Sequence, residues 1–576
     1  MEIEMKKIIF LAALALFFAV SCSNTSSRSN ENADSDNDSI DDSDILPDDD
    51  ENSSDTVPDE GETVWNLDFE SGFIALESVD YILKNYDYNT TGKAMMWYNF
   101  QPANENPEEK PLFVFYNGGP GSASAIVFLY NTAQRTADQA FSEDSFAENA
   151  SSWTQLGNLL YVDARQTGFS YGILDDPSDS LARSGYFGTS NFNVFVDAAD
   201  FIRVILRFMK SHPAIKSNPV ILAGESYGGT RSTAILNVLL NVADYAEKNR
   251  QFYDEALFNE IADHFKEIDP SVDGMPSKDV VAKQFGRQIL IQPLVAGQEQ
   301  FDAEGELLEA EGSPLYTIEE ETGFTFNKCG SNNNCSKHNN ALYYVQRAGR
   351  DYYSYRRPYN WLFDYTDVGT AKMLQMPMFA EFILNDPTKI NELYAENRTG
   401  AFRYGSSGGY LKNSIEISAF KNLPELEKII IEACIKQRNA RPLSSGNFES
   451  IFGDLNSYDE YFVALNYEIN STFYSAAIDP YDTINGEMFL ENIKTVKTFI
   501  TQAEEDIIIY SKGIPESLKS FEGVSGVTLE DNSFTVSFSD GQSVEVTFPF
   551  YPESSHSVPV NQPEKLFNDV KKWLEK

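Results

Sequence analysis

GESYGG at 224–229 continues the apolar run PVILA (219–223) and leads into TAILNVLLNVADYAEK (233–248). The first run reads as a buried strand, and the spacing of apolar residues in the second reads as a helix. Between them the Gly-x-Ser-x-Gly frame puts Ser226 on a sharp strand-to-helix turn, where glycines on either side let a hydroxyl stand exposed. Upstream, PLFVFYN (111–117) reads as another buried strand, running into NGGPG at 117–121. A glycine loop of this kind brings backbone N–H groups close to a developing oxyanion. Near the end of the chain, HSVPVNQPEK (556–565) carries His556, so the order is nucleophile first and histidine last.

Working outward, NLLYVDA (158–164) and QILIQPLVA (288–296) read as further core strands. VFVDAADFIRVILRFMKSH (194–212) places Val196, Phe201, Ile205 and Phe208 at helical spacing. This alternation of strand and helix predicts an α/β fold with a central, mostly parallel sheet flanked by helices. The pattern holds over 65–300. From 301 to 495 the chain is richer in Tyr, Asn and Glu, with helical pieces such as NLPELEKIIIEACIK, and reads as a cap inserted over the site. Core composition returns over 496–576. There DIIIYS (506–511) reads as a strand, and VTLEDNSFTVSFSDGQSVEVTFPFY (527–551) alternates with period two around the hairpin signal Asp540-Gly541. PEKLFNDVKKWLEK reads as a closing amphipathic helix with Leu566, Val570 and Trp573 on one face.

The first sixty-odd residues stand apart. Lys6 and Lys7 precede an apolar run from Ile8 to Val20 that ends at Cys22, a layout that predicts a secretory signal over residues 1–22, with Met5 as a plausible initiator. Cys22 after small residues resembles a bacterial lipobox, although Ala19 stands where leucine is usual; a plain signal peptide with an unrelated cysteine is the alternative. Residues 23–64 are Ser, Asn, Asp and Glu with a single arginine, Arg28, and read as a solvated acidic linker rather than a core. Such a chain is expected to be exported and lipid-anchored to the cell envelope through Cys22, touching the membrane only there.

Composition bounds the rest. Hydrophobic residues make up 42% and aromatics 13%, enough for a large core, and the formal net charge of −44 argues against a nucleic-acid partner. Of the four cysteines, Cys329 and Cys335 flank the turn-rich GSNNN and are expected to form a local disulfide, whereas Cys434 in IIIEACIK reads as a buried thiol. His338 is the only histidine near that pair and the chain has no CxxC, so no metal site is expected, nor any cofactor.

Taken together, NGGPG, ENASSW (148–153), LLYVDARQTGFSYG, GESYGG and the late HSVPVNQPEK resemble the serine carboxypeptidase family over 65–300 and 500–576. The resemblance implies an α/β-hydrolase fold and removal of C-terminal residues from peptides. Ser226 would be the nucleophile and His556 the general base. The N–H groups of Gly119 and Tyr227 would form the oxyanion hole, and Asn117, Gly118 and Glu225 would bind the substrate's free carboxylate. The other histidines fit the role less well: His212 ends a helix in SHPAIKSNP, His264 lies in a polar helical stretch, and His338 is beside the cysteine loop.

Two positions depart from the family pattern. The family's catalytic aspartate follows the strand identified here with DIIIYS. The continuation KGIPESLKSF offers Pro515 at that place and Glu516 one residue on, so Glu516 is the candidate acid, while Asp506 falls at the strand's wrong end. A glutamate that pairs with the one before the serine is replaced by Asn131, which predicts a less acidic working range than is usual for a carboxyl pair. The same triad would also suit an esterase or acyltransferase, and loss of the acid would suit a catalytically inactive, lipid-anchored binding protein.

Overall fold

A computed structural model of the chain describes residues 67, 69–84, 89–124, 132–137, 146–168, 170–173, 186, 188–308, 403–404, 409–410, 469, 483–504, 506, 509–552, 554 and 556–576. Cys22, Asn131, Cys329, Cys335, His338 and Cys434 lie outside these residues, as do the signal segment and the whole of the acidic linker.

The five all-buried residues of Leu112–Tyr116 and of Asn158–Val162, and the six of Val220–Glu225, are the centre of an eleven-stranded sheet. Continuous apolar runs of this kind belong in strands covered on both faces. The order across the sheet is 70–76, 93–101, 158–162, 112–116, 220–225, 287–291, 497–500, 543–547, 533–538 and 524–529, with 171–173 paired off this path to 93–101. The six strands from 158–162 to 543–547 run parallel; the strands beyond them on both sides pair antiparallel.

On one face, Val114, Tyr116, Leu160 and Leu222 share a core with the helix Val194–Ser211, whose Val196, Phe201, Ile205 and Phe208 are buried as their spacing predicts. Asn193 caps that helix, its side chain accepting from Phe195 and Val196 N–H. The helices Gly228–Leu240, Glu255–Ile268 and Lys278–Phe285 complete this layer. Alternate residues of the same strands point the other way: Phe113 and Phe115 meet Trp153 edge-on at 5.4 and 5.3 Å, and Phe115 stacks on Tyr161 at 5.0 Å. Helix Pro563–Glu575 buries Leu566, Phe567, Val570 and Trp573, and Trp573 packs edge-on against Phe499.

Two expectations need correction. The described residues of DIIIYS, Asp506 and Ile509–Ser511, form no strand. The strand beside 287–291 is Lys497–Ile500, and Asp506 lies beyond its carboxyl end. Isoleucine richness is shared by strands and by buried turns, and here the turn at Ile509 and Tyr510 is buried against the core. The segment 301–495 is likewise not all insertion. Helices Gly297–Leu308 and Thr483–Ile493 belong to the core: Phe489, Leu490 and Ile493 cluster with Leu290, Val295 and Ile500, and Asn492 Nδ2 donates to Thr233 O at 2.8 Å. The stretch between them is described only at a two-residue strand pair, 403–404 with 409–410, and at Ile469. The alternating region near the end forms three antiparallel strands, 524–529, 533–538 and 543–547, with Asp540-Gly541 at the second turn and Gly541 at φ 88°.

Candidate active site

Ser226 follows the last residue of the central strand Val220–Glu225 with φ 58°, a left-handed conformation that costs a side-chain-bearing residue roughly 1–3 kcal/mol and persists where surrounding structure imposes it. Three backbone hydrogen bonds impose it here. Ser226 N–H donates to Ile291 O at 3.0 Å, and Ser226 O accepts from Gly229 N at 2.9 Å and Leu294 N at 3.0 Å. A Cβ on Gly224 would stand 2.5 Å from Gly228 O, and one on Gly229 would stand 2.5 Å from Pro293 Cβ, so the flanking glycines let the turn close.

The loop after Leu112–Tyr116 lies against this turn. Gly118 has no room for a side chain: a Cβ would meet Tyr227 N at 2.6 Å and both Glu225 O and Ser226 Cβ at 2.7 Å. Asn117 is buried, with Nδ2 donating to Ala123 O at 3.1 Å and Oδ1 accepting from Gly118 N at 2.6 Å. Gly119 and Gly121 take φ values of 100° and 94°. From below, Arg231 Nη1 donates to Asn117 O at 2.5 Å while its Nε pairs with buried Asp197 at 2.7 Å. The loop is therefore clamped between the serine turn and a buried cation.

His556 reaches the same end of the sheet by a second route. Gln502–Ala503 and Phe550–Tyr551 pair in parallel, prolonging the 497–500 and 543–547 strands in the same register (Phe499 with Thr547, Gln502 with Phe550). Asp506 and His556 come a few residues beyond this pair, both buried, and His556 Nδ1 lies 2.7 Å from Asp506 Oδ2. Asp506 also accepts from Gln292 Nε2 at 2.7 Å and, through Oδ1, from Ile509 N at 3.2 Å. Glu516 is elsewhere. It sits exposed on the short helix Gly513–Leu518 and pairs with Lys519 at 2.6 Å. The carboxylate on His556 is thus Asp506, and Glu516 is replaced in that role.

Glu225 is completely buried. Its Oε2 lies 3.4 Å from the Ser557 hydroxyl, which ties the segment carrying His556 to the residue preceding Ser226, and its Oε1 has no hydrogen-bond partner among the described residues. Burial pushes its pKa up to about 8, against the pull of His556 and with the push of Asp506. For His556 burial alone would lower the pKa, but the charge and hydrogen bond of Asp506, joined by Glu225, raise it above the usual 6.5. Nδ1 faces the carboxylate, which leaves Nε2 as the nitrogen for chemistry. The remaining described histidines are engaged elsewhere: His212 stacks on Phe208 and pairs with Glu70 at 3.0 Å, and His264 Nε2 meets Gln284 Oε1 at 2.9 Å. Among the described residues no group of three or more His, Cys, Asp or Glu could hold a metal ion.

The sequence matches the serine carboxypeptidase family across residues 68–398, more than half of the chain. The chain belongs to the serine carboxypeptidase family. Among similar family proteins, Serine carboxypeptidase-like 20 of Arabidopsis thaliana is 30% identical over 138 residues, covering 23% of this chain and 25% of that protein. Serine carboxypeptidase-like 49 of the same plant is 31% identical over 174 residues (30% and 28%), and Serine carboxypeptidase 3 of Triticum aestivum 29% over 175 residues (30% and 29%). The chain therefore spans about a quarter to a third of the length of the curated relatives it matches. Kex1(Δ)p, a prohormone-processing carboxypeptidase from Saccharomyces cerevisiae, aligns in three dimensions with a TM-score of 0.45 and 15% identity, covering 88% of this chain and 91% of that one. In this serine carboxypeptidase family member, Asp506 is the site residue that sequence reasoning passed over. The signal that identifies it is the second β-pairing, visible only once Lys497–Ile500 is recognised as the strand.

Proposed function

We propose that the protein is an exported serine carboxypeptidase that cleaves C-terminal residues from peptides through an acyl-enzyme on Ser226. The observation that carries this reading is the buried Asp506–His556 pair at 2.7 Å, joined through Ser557 and Glu225 to the strained turn of Ser226. His556 Nε2 takes the hydroxyl proton as Ser226 Oγ attacks the scissile carbonyl, and Asp506 stabilises the imidazolium that forms. The N–H groups of Gly119 and Tyr227 receive the oxyanion. Collapse expels the amine of the C-terminal residue, which takes the proton from His556; water, deprotonated by the same nitrogen, then frees the acyl group and restores Ser226. Asn117, Gly118 and the neutral Glu225 carboxyl are proposed to hold the substrate's carboxylate. The chemistry is complete with side chains and backbone alone. The Cys22 lipobox supports a lipid anchor at the cell envelope behind the acidic linker; a Cys22→Ser variant that stays with membranes would overturn that part.

The test is reaction of the purified protein with a fluorophosphonate beside a Ser226→Ala control, followed by peptides with free and with amidated C-termini. Serine-dependent labelling and release of single C-terminal residues from the free peptides alone are expected. Labelling with ester cleavage but no peptide cleavage would make the protein an esterase or acyltransferase. No labelling of folded protein would leave a binding protein.

A further inference from the structure

The third strand of the site contributes a residue to which no role has been given. Gln292 follows the strand Arg287–Ile291 and is fully buried with φ 45°, one of five side-chain-bearing residues in the left-handed region among the described residues; Ser226 is another. Its backbone neighbours hold the nucleophile: Ile291 O accepts from Ser226 N and Leu294 N donates to Ser226 O, each at 3.0 Å. Its side chain holds the acid. Nε2 donates to Asp506 Oδ2 at 2.7 Å and to Ile509 O at 3.2 Å, while Oε1 accepts from Thr501 Oγ1 at 3.1 Å and Ala503 N at 2.9 Å. Gln292 N–H donates back to Thr501 Oγ1 at 3.0 Å. Both hydrogens of the amide and its oxygen are used, all on the segment that carries Asp506.

We propose that Gln292 is a positioning residue that couples the serine turn to the catalytic carboxylate, fixing where Asp506 stands and hence how His556 is oriented. Strand 287–291 lies between the strand that presents Ser226 and the strand that leads to Asp506. A residue at its end is placed to set the spacing of the two halves. The amide is suited to this because it donates to a carboxylate without adding charge, in a site that already holds Glu225 near His556 and Glu304 near Asp506. A catalytic constellation of this kind loses rate when a supporting bond leaves its groups slightly misplaced.

The proposal rests on the serine hydrolase reading, so its test includes a readout that does not depend on turnover. Full-length protein labelled with ¹⁵N-histidine has only four histidines to resolve, and His556→Gln assigns the one of interest. Gln292→Glu keeps length and shape but places a carboxyl against Asp506. Gln292→Asn keeps the amide and tolerates positive φ but falls one carbon short. In Gln292→Glu the His556 titration is expected to move up by about one pH unit. In both variants kcat/KM and fluorophosphonate labelling are expected to fall roughly 10- to 100-fold, with KM changed less than threefold and circular dichroism unchanged. A His556 titration identical to wild type in both variants overturns the proposal, as does a rate loss that appears wholly in KM. If wild-type protein fails to label while the titration moves as expected, the hydrolase reading fails and the positioning of His556 by Gln292 stands.

Discussion

Asp506 and His556 are fifty residues apart in sequence and 2.7 Å apart in the fold because each follows one member of the parallel pair 502–503 and 550–551. Parallel pairing sends both chains out at the same end of the sheet, so two short continuations deliver acid and base to one place. His556 Nδ1 is fixed by that contact, and in the proposed mechanism Nε2 is the nitrogen that serves Ser226.

Replacing Asp506 is therefore expected to be far more damaging than replacing Glu516. Asp506→Asn should lower kcat on the order of 10⁴-fold by removing the charge that orients and supports the imidazolium. Glu516→Ala, which loses only an exposed ion pair with Lys519, should stay within about twofold. Steady-state kinetics on both variants decide the matter, and a large loss in Glu516→Ala would reverse the assignment.

Much of this was legible in the chain. GESYGG and NGGPG announce their own geometry, since Gly224, Gly229 and Gly118 stand where a Cβ would collide with backbone or a neighbouring residue. The helix 194–211 shows its buried face through Val196, Phe201, Ile205 and Phe208. The acid was not legible, for a physical reason. A strand and a buried turn both require apolar residues, and IIIY after Asp506 satisfied the strand pattern better than KTFI did. Placing the strand too late put Asp506 before it instead of after it. Gln292 escaped because glutamine carries no chemistry of its own; its role arises from pairing between strands more than two hundred residues apart in sequence.

Gly118→Ala is expected to leave the fold intact and reduce kcat/KM by roughly 100-fold or more. The added methyl would meet Tyr227 N, Glu225 O and Ser226 Cβ within 2.7 Å, and none of these is the free end of a flexible side chain. The loop must retreat, carrying the N–H of Gly119 away from the position of the oxyanion. Fluorophosphonate labelling rate alongside circular dichroism tests this, and an active Gly118→Ala enzyme would show that the loop does not need its observed place.

The Arg231–Asp197 pair, both members buried, should behave as a unit. Removing one partner leaves a buried charge unopposed, so Arg231→Ala or Asp197→Ala is expected to cost about 3–5 kcal/mol of stability. The double replacement Arg231→Met with Asp197→Leu should recover much of this, because no charge remains to desolvate. It should not recover activity, since Asn117 O would still lack the donor that clamps the oxyanion loop. Urea unfolding and labelling rates measured on the three variants separate the two roles; a fully active double variant would remove Arg231 from the site's support.

The pH behaviour follows from two groups whose pKa values burial and neighbours displace. In the proposed mechanism His556 must be neutral to accept the serine proton, and its pKa stands above 6.5, so the acid limb of kcat/KM should lie above that value rather than in the acidic range. Glu225 is held neutral up to about pH 8, and a neutral carboxyl can donate to a substrate carboxylate where an ionised one would repel it. Cleavage of peptides with free C-termini should thus fall above about pH 8 through a rise in KM, while esters with blocked carboxylates should not. The same shift has a stability sign. A carboxyl whose folded pKa is raised above its unfolded value of 4.5 contributes fully below that pH and loses its contribution as pH rises through about 8. Glu225→Gln, neutral at every pH, should accordingly unfold like wild type at pH 4 and be more stable by about 4 kcal/mol at pH 8, while losing its preference for free carboxylates. Equal stability at pH 8, or a peptidase optimum below about pH 5, would mean that Glu225 ionises in the folded protein as an ordinary carboxylate does.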